Sequence, residues 1–316
     1  TPARDAVARP QQPKERLMSV FPVVGVARPN FLILTPICIS LGLASALLSG
    51  IPIDWTRFAV ILVGGLMAHV SVNALNEYAD YQSGLDFKTD KTPFSGGSGT
   101  LVMQPRLAIQ ALMLGILALL TTILCGLYLV QQTGWGLTPI GLAGVAIIVL
   151  YTGWVNRNRY LVLITPGLGF GPLMVMGTHY ALTGTYQGLA WLFSLIPFFL
   201  VNNLLLLNQI PDREADQSVG RDNFAIAWGA EGTARLFLGF ALLAYASIIL
   251  GVLGGPLPVL ALLGLLTLPL TYQVFLGVRE YNGDLPKLIP YLGKNVVITL
   301  VTPLLVSVGV FADLYV

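Results

Sequence analysis

Charged residues, cysteine and histidine are scarce in this chain. Charged residues make up 10% of its 316 positions, and there are two cysteines and two histidines. So little charge excludes an ordinary water-soluble globular domain, where about 25% of residues are charged. Cys38 and Cys125 both lie inside apolar runs, where we expect packing residues rather than a disulfide or a metal pair. Because no basic patch is present either, no nucleic-acid partner is predicted.

Long apolar runs take the place of the missing charge. Apolar residues make up 55% of the chain and the mean hydropathy is +0.76. A spanning helix needs about 20 residues, so each of the three longest charge-free stretches should hold two helices, with turns near 131–134, 183–188 and 254–256. The sequence therefore predicts an all-α membrane protein with nine transmembrane helices. The charge-free stretches are 29–53, 58–76, 107–156, 160–211, 236–278 and 295–312.

Basic residues are concentrated on one side of the predicted bundle. They precede helix 1 and fill the loops between helices 2 and 3, 4 and 5, 6 and 7, and 8 and 9, while only Arg57 falls on the other side. Cytoplasmic loops are enriched in Lys and Arg, so the N-terminus and these four loops are predicted to be cytoplasmic. Residues 1–20 are expected to form a flexible tail, followed by one membrane domain over 21–316.

Carboxylates gather at the cytoplasmic ends of predicted helices 2 and 6. Because carboxylates are costly near a bilayer, such groups usually mark a functional site. Magnesium prefers carboxylate and phosphate oxygens, so the two groups together predict one shared Mg²⁺ site that also holds a diphosphate. Eight of the fifteen carboxylates lie there: Glu77, Asp80, Asp86, Asp90, Asp212, Glu214, Asp216 and Asp222.

Helical spacing aligns the polar residues of these two helices. His69, Asn73, Asn76 and Asp80 are three or four residues apart and share one face of helix 2, with Glu77 one step around. This stripe begins halfway through the membrane and extends to the cytoplasmic end, as expected for a cavity open on that side. The corresponding stripe on helix 6 consists of Asn208, Asp212 and Asp216.

A glycine-rich segment follows the first acidic cluster. Gly96, Gly97 and Gly99 permit close approach of the backbone to a ligand, and the preceding Lys88 and Lys91 are candidate contacts for a diphosphate. Beside an acidic cluster, this segment is predicted to close over a phosphate group.

Other functions fit parts of this pattern. Intramembrane carboxylates also serve proton- or ion-coupled transporters, but those sites usually lie near the midplane on broken helices. Here both clusters lie at one face, and the flanking basic residues favour an anionic ligand. His69 fits either a packing residue or a base.

The two acidic motifs resemble those of the UbiA superfamily of intramembrane prenyltransferases. The first, from Asn73 to Asp86, is similar to the variant found in enzymes that prenylate dihydroxynaphthoate, and Asp212-x-x-x-Asp216 followed by Gly220-Arg221 matches the second. Arg28-Pro29 before helix 1 also agrees.

Further segments resemble the menaquinone branch of that superfamily. They are Tyr151-Thr-Gly153 and the glycine-rich run 167–180. Three positions depart from the pattern: Glu77 replaces the usual Asp, Phe170 stands where that branch tends to have Glu, and Pro211 stands where Arg commonly precedes the second motif.

The resemblance implies transfer of a polyprenyl group from an allylic diphosphate, with Mg²⁺ as cofactor. The implied metal ligands are Asn73, Glu77, Asp80, Asp86, Asp212 and Asp216. The implied catalytic residues are the four aspartates Asp80, Asp86, Asp212 and Asp216, together with His69. The implied substrate contacts are Asn73, Asn76, Lys88, Lys91, Tyr151, Arg157, Asn208 and Arg221.

The partners implied are a polyprenyl diphosphate, an aromatic acceptor and the lipid bilayer. The acceptor expected from the branch is 1,4-dihydroxy-2-naphthoate, the precursor of menaquinone. The alternatives are 4-hydroxybenzoate, a chlorophyll-like ring, a lipid and a carotenoid. The expected location is the plasma (inner) membrane, with the active site facing the cytoplasm.

Overall fold

A computed structural model describes residues 22–314. Within this range the chain is all-α, as predicted, and contains no strand. The tail expected over residues 1–20 lies outside the described residues. A short 3₁₀ helix, Pro22–Ala27, leads into the helical bundle.

Nine apolar helices follow one another along residues 34–313. Short connections, including the 3₁₀ turns Leu85–Phe87 and Val155–Arg157 and the helical turn Thr100–Met103, join them. The helices are α1 Leu34–Leu48, α2 Trp55–Gln82, α3 Pro105–Thr133, α4 Trp135–Leu150, α5 Arg159–Thr183, α6 Gly188–Ser218, α7 Phe224–Leu253, α8 Val259–Arg279 and α9 Leu285–Asp313.

Seven of these helices are long and apolar enough to cross a membrane, within the part of the chain that is described. α1 and α4 are apolar but shorter than 18 residues, so nine crossings stay a prediction. The three turns predicted inside the long apolar stretches are confirmed: they lie at Gly134, at 184–187 and at 254–258. Glycine and polar residues end the helices at these points because they favour turns over continued helix.

The core of the bundle is formed around α6. It is the most buried of the seven long helices, whereas α3 is the most exposed. Phe193, Leu200 and Leu207 of α6 are almost fully buried against neighbouring helices. Since lipid replaces water outside the bundle, the apolar outer face of α3 is expected to contact lipid.

α5 contains a stretch of π-helix, Gly169–Met176, which follows Pro166 and includes Pro172. Proline removes a backbone donor and widens the helix locally. Asn202 of α6 compensates for part of this irregularity, because its Oδ1 accepts a hydrogen bond from the Gly167 amide at 2.6 Å. The irregular segment is thereby attached to the helix that carries the second acidic stripe.

Candidate active site

The polar stripe of α2 lines a cavity inside the bundle. His69, Asn73, Asn76 and Asp80 all border this cavity, as their helical spacing predicted. Glu77 lies one step around the helix and is buried, with 2% of its surface exposed. The helical period thus separates four residues that face the cavity from one that faces the adjoining loop.

The stripe of α6 borders the same cavity. Asn208, Asp212 and Asp216 lie in its wall, opposite the stripe of α2. α6 continues as a helix through Pro211 to Ser218, so the second acidic motif is held on a rigid element. The two acidic groups, which are 132 residues apart when counted from Asp80 to Asp212, therefore meet at one end of the bundle.

Arg221 joins the two groups. Its Nη2 donates to Oδ1 of Asp80 on α2, and its Nη1 donates to Oδ1 of Asp216 on α6 at 3.1 Å. The other oxygen of each carboxylate accepts from an amide, Asn76 Nδ2 at 2.9 Å and Asn223 Nδ2 at 3.1 Å. These contacts offset burial of the guanidinium, and the charges of Asp80 and Asp216 raise the pKa of Arg221.

The loop 83–99 closes over the acidic groups. The backbone amide of Gly96 donates to Oδ2 of Asp212 at 3.2 Å. Both the amide and the hydroxyl of Ser98 donate to Glu77, the amide at 2.9 Å from Oε1. Gly96, Gly97 and Gly99 all have positive φ, a conformation that side chains strongly disfavour. This is the physical reason for glycine at these positions.

The cation pattern differs from the sequence-based expectation. Lys88 donates to Ser218 at 3.2 Å, Lys91 donates to the carbonyl of Ser98, and Arg157 is exposed. None of these three borders the cavity: Lys88 and Lys91 are exposed on the loop 83–99, and Arg157 is exposed in the α4–α5 connection. The basic residues in the cavity wall are Arg28 and Arg221, within the described range.

Arg28 was not among the residues expected to bind the substrate. It has a φ of 52°, and it is the one non-glycine residue among 22–314 with positive φ. Asn73 stabilises this turn, since its Nδ2 donates to the Ala27 carbonyl at 2.9 Å. Backbone strain of this kind is often retained at functional sites. A basic residue followed by proline immediately before the first apolar run was the signal available in the sequence.

Asp86 lies in the loop 83–99, borders the cavity and has two other carboxylates nearby. Burial, followed by the nearby charges of Glu77 and Asp80, raises the pKa of Asp86 to about 7. The positive charges of Arg28 and Arg221 lower the pKa of Asp86, but by less than burial and the neighbouring carboxylates raise it. A divalent cation placed among these carboxylates would remove their mutual repulsion.

Several buried oxygens in the site have no hydrogen-bond partner among the described residues. They are Oδ2 of Asp86, Oδ1 of Asp212 and Oδ1 of Asn208. Such unpaired oxygens fit a hard cation, which takes carboxylate and amide oxygens as ligands. Within residues 22–314, no three His, Cys, Asp or Glu side chains converge tightly enough to hold an ion by themselves. Mg²⁺ bound together with a diphosphate needs fewer protein ligands, because waters and phosphate oxygens complete its coordination.

Tyr151 and the glycines of α4 mark the change from polar to apolar wall. The cavity has a volume of about 540 Å³ and runs from the acidic groups past Tyr151 to Trp135 at the opposite end of α4. Gly141 and Gly144 lie along this path, and a Cβ on either would meet nothing within 4 Å. The wall beyond Tyr151 is therefore mainly hydrocarbon and offers room for an elongated apolar group.

The acidic end and the apolar remainder of this cavity define a class: an all-α protein of apolar helices whose single cavity has a carboxylate-lined end and a hydrocarbon-lined end. The model of the UbiA prenyltransferase family matches residues 35–289. The chain belongs to this family, and the prediction of a prenyltransferase is confirmed.

Three relatives illustrate the similarity. The 1,4-dihydroxy-2-naphthoate octaprenyltransferase of Bacillus subtilis (strain 168) is 29% identical over 226 residues, which cover 70% of each chain. The apo structure of a UbiA homologue from Aeropyrum pernix K1 has a TM-score of 0.67 and 19% identity, covering 88% of this chain and 97% of that one. A UbiA homologue from Archaeoglobus fulgidus bound to DMAPP and Mg²⁺ has a TM-score of 0.61 and 13% identity, covering 90% and 99%.

Proposed function

We propose that this protein transfers a polyprenyl group from an allylic diphosphate to 1,4-dihydroxy-2-naphthoate, with Mg²⁺ as cofactor. The observation that carries the proposal is the meeting of two acidic stripes at the end of a long apolar cavity. The naphthoate is favoured as acceptor because the Bacillus subtilis relative bears that name.

The metal ligands in this proposal come from both stripes and from the loop. Asp86 and Asp212 have free buried oxygens, and Asn208 adds an amide oxygen. Asp80 and Asp216 join them when Arg221 turns toward phosphate oxygens. Bound Mg²⁺ would neutralise the diphosphate and make it a better leaving group.

The basic residues stabilise the departing diphosphate. Arg28 and Arg221 border the cavity beside the carboxylates, where negative charge accumulates as the bond between carbon and oxygen breaks. Lys88 and Lys91 lie on the covering loop, at its outer side, and can contribute to capture of the anion from water. Loop 83–99 excludes water from the allylic cation left behind.

The apolar wall beyond Tyr151 receives the prenyl chain. Its glycines leave room along α4, and its side chains are mainly aliphatic and aromatic. The acceptor attacks that cation through the electron-rich ring carbon that bears its carboxylate. A carbon–carbon bond forms, the carboxylate leaves as CO₂, and the electron pair of the broken bond restores the aromatic ring. The polar end of the site faces the cytoplasm in this proposal, as the distribution of basic residues predicts, and the membrane is the plasma membrane.

Purified protein with Mg²⁺ and a polyprenyl diphosphate tests this function directly. Diphosphate release and prenylated product are measured with the naphthoate and with 4-hydroxybenzoate in parallel. Product from the naphthoate alone would support the proposal. Product from the benzoate alone would preserve the chemistry and overturn the acceptor. Absence of diphosphate release with either acceptor would contradict the proposed reaction.

Asp80→Ala and Asp212→Ala provide the matching test of the site. We expect each to lower turnover by about 100-fold or more, the scale seen when a group that stabilises transition-state charge is removed. Asp284→Ala is the control, because Asp284 lies outside the cavity in the α8–α9 loop and pairs with Lys287 at 2.8 Å. Full activity in both cavity variants would exclude this metal site.

A further inference from the structure

Each of the two histidines is bonded to a hydroxyl of α1. Thr35 Oγ1 lies 2.9 Å from His69 Nδ1, and Ser45 Oγ lies 2.6 Å from His179 Nδ1. The two pairs differ in their surroundings, because His69 borders the cavity and His179 does not. His69 is therefore the histidine that a bound molecule can reach.

The hydroxyl of Thr35 has one partner for its proton. Thr35 is fully buried, with 0% exposure, and among residues 22–314 its Oγ1 bonds only to His69 Nδ1. A buried donor left without an acceptor destabilises the fold. If Nδ1 carried the ring proton, Nδ1 would donate to the Thr35 oxygen, and the hydroxyl proton of Thr35 would have no acceptor. Thr35 therefore donates, and Nδ1 of His69 accepts.

The direction of this hydrogen bond determines whether the other ring nitrogen, Nε2, carries a proton. A neutral imidazole has one donor and one acceptor nitrogen, so His69 carries its proton on Nε2. Nε2 bonds to no group of the described chain, and the ring borders the cavity. Phe170 packs edge-to-face on the imidazole, with ring centroids 4.8 Å apart and an angle of 74° between the planes. The ring is held from two sides, and its N–H is free.

We propose that Thr35 and Phe170 hold His69 as an Nε2–H donor that binds an oxygen of the aromatic acceptor, and that His69 does not act as the base. The prenyl chain has no lone pair to accept this hydrogen bond, whereas a hydroxyl or carboxylate oxygen does. His69 lies eleven residues before Asp80, about 16 Å along α2, and both line the same cavity, so His69 would contact the end of the acceptor that points away from the diphosphate. The proposal rests on the proposed function, since it requires an aromatic acceptor.

The tautomer can be read by nitrogen NMR on the whole protein in lipid nanodiscs. With [¹⁵N]histidine, the two histidines give four ring signals, which His179→Gln assigns. We expect a proton on Nε2 of His69. Thr35→Val should shift His69 toward a mixture of tautomers, and Thr35→Ser should restore it. Ser45→Ala is the matched control and should leave the His69 signals unchanged. A proton on Nδ1 in the wild type, or no response to Thr35→Val, would overturn the proposal.

Steady-state kinetics of His69 variants distinguish a hydrogen-bond donor from a base. Glutamine can present an amide N–H near the position of Nε2 but cannot remove a proton at neutral pH. We expect His69→Gln to stay within about threefold of wild type, and His69→Leu to raise the KM of the naphthoate about two- to tenfold, the value of one neutral hydrogen bond. The KM of the donor should not change.

Equal loss of kcat in both His69 variants would show that the ring acts as a base and would overturn the proposal. Absence of any product from wild-type protein with the naphthoate would contradict the proposed function instead. In that case the NMR result still decides the tautomer of His69, so the two failures are distinguishable.

Discussion

At the scale of single residues, Arg221 holds together the two halves of the acidic site. It pairs with Asp80 of α2 and Asp216 of α6, and its side chain is 18% exposed. Removing one partner from a buried ion pair leaves charge uncompensated, which typically costs about 3–5 kcal/mol. Two carboxylates would lose their cation at once if Arg221 were neutralised, and a divalent cation could replace it.

We predict that Arg221→Gln lowers the thermal midpoint of the purified protein and increases the stabilisation by Mg²⁺. The reason is that Asp80 and Asp216 lose their counter-ion and gain free oxygens for the metal. Thermal unfolding in detergent, with and without Mg²⁺, measures both effects. Arg159→Gln is the control: its pair with Asp222 is about one third exposed, and such pairs contribute little. A variant with unchanged midpoint and unchanged Mg²⁺ response would contradict the prediction.

Helical spacing explains why the polar stripes could be predicted at this scale. Residues three or four apart share a face wherever the helix is regular, so His69, Asn73, Asn76 and Asp80 were grouped correctly on the cavity side. Loop geometry has no such period. For that reason the sequence marked Arg28 only as part of the dipeptide before helix 1 and not as a residue of the cavity wall, and it did not show that Lys88 and Lys91 lie outside that wall.

At the scale of helices, close contact between α5 and α6 depends on glycine. A Cβ on Gly171 would lie 2.5 Å from the Ser194 carbonyl oxygen and 2.9 Å from Phe198. Overpacking of this kind typically costs about 1–3 kcal/mol. The contact also involves the π-helical segment of α5, whose irregularity no hydrophobic period reveals. The sequence could predict the apolar runs and their turns, but not this local widening.

We predict that Gly171→Ala destabilises the protein by about 1–3 kcal/mol, because α5 and α6 must move apart. Thermal or denaturant unfolding of the purified protein measures the change. Gly239→Ala is the matched control, since a Cβ there meets nothing within 4 Å and alanine favours helix over glycine. Equal stability of Gly171→Ala and wild type would show that the two helices separate at no cost.

At the scale of the whole molecule, the connecting loops lie alternately at the two ends of the bundle. The loop 83–99 and the residues 219–223 meet at the acidic end, since Arg221 and Gly96 both bond to the clusters. Basic residues favour the cytoplasm for this end.

Cysteine labelling tests this orientation. We predict that Thr185→Cys, in the exposed α5–α6 loop, reacts with a membrane-impermeant maleimide added outside intact cells. Asn282→Cys, in the exposed α8–α9 loop, should react only after permeabilisation. The wild-type protein is the control for Cys38 and Cys125. The reverse labelling pattern would invert the predicted topology.

The length of the cavity gives the last prediction. Gly144 of α4 lies seven residues before Tyr151, about 10 Å along the helix. It borders the cavity and a Cβ there would meet nothing within 4 Å, so we expect a larger side chain to extend into the apolar part. We expect Gly144→Leu to reduce activity with long polyprenyl diphosphates at least tenfold while activity with dimethylallyl diphosphate changes little, because a five-carbon group ends before the obstruction. Comparing kcat/KM for the two donors measures this. Gly239→Leu, with its open surroundings, is the control for a leucine placed in a helix. Equal loss with both donors would indicate damage to the polar end, and no loss with the long donor would mean that its chain leaves the site by another route.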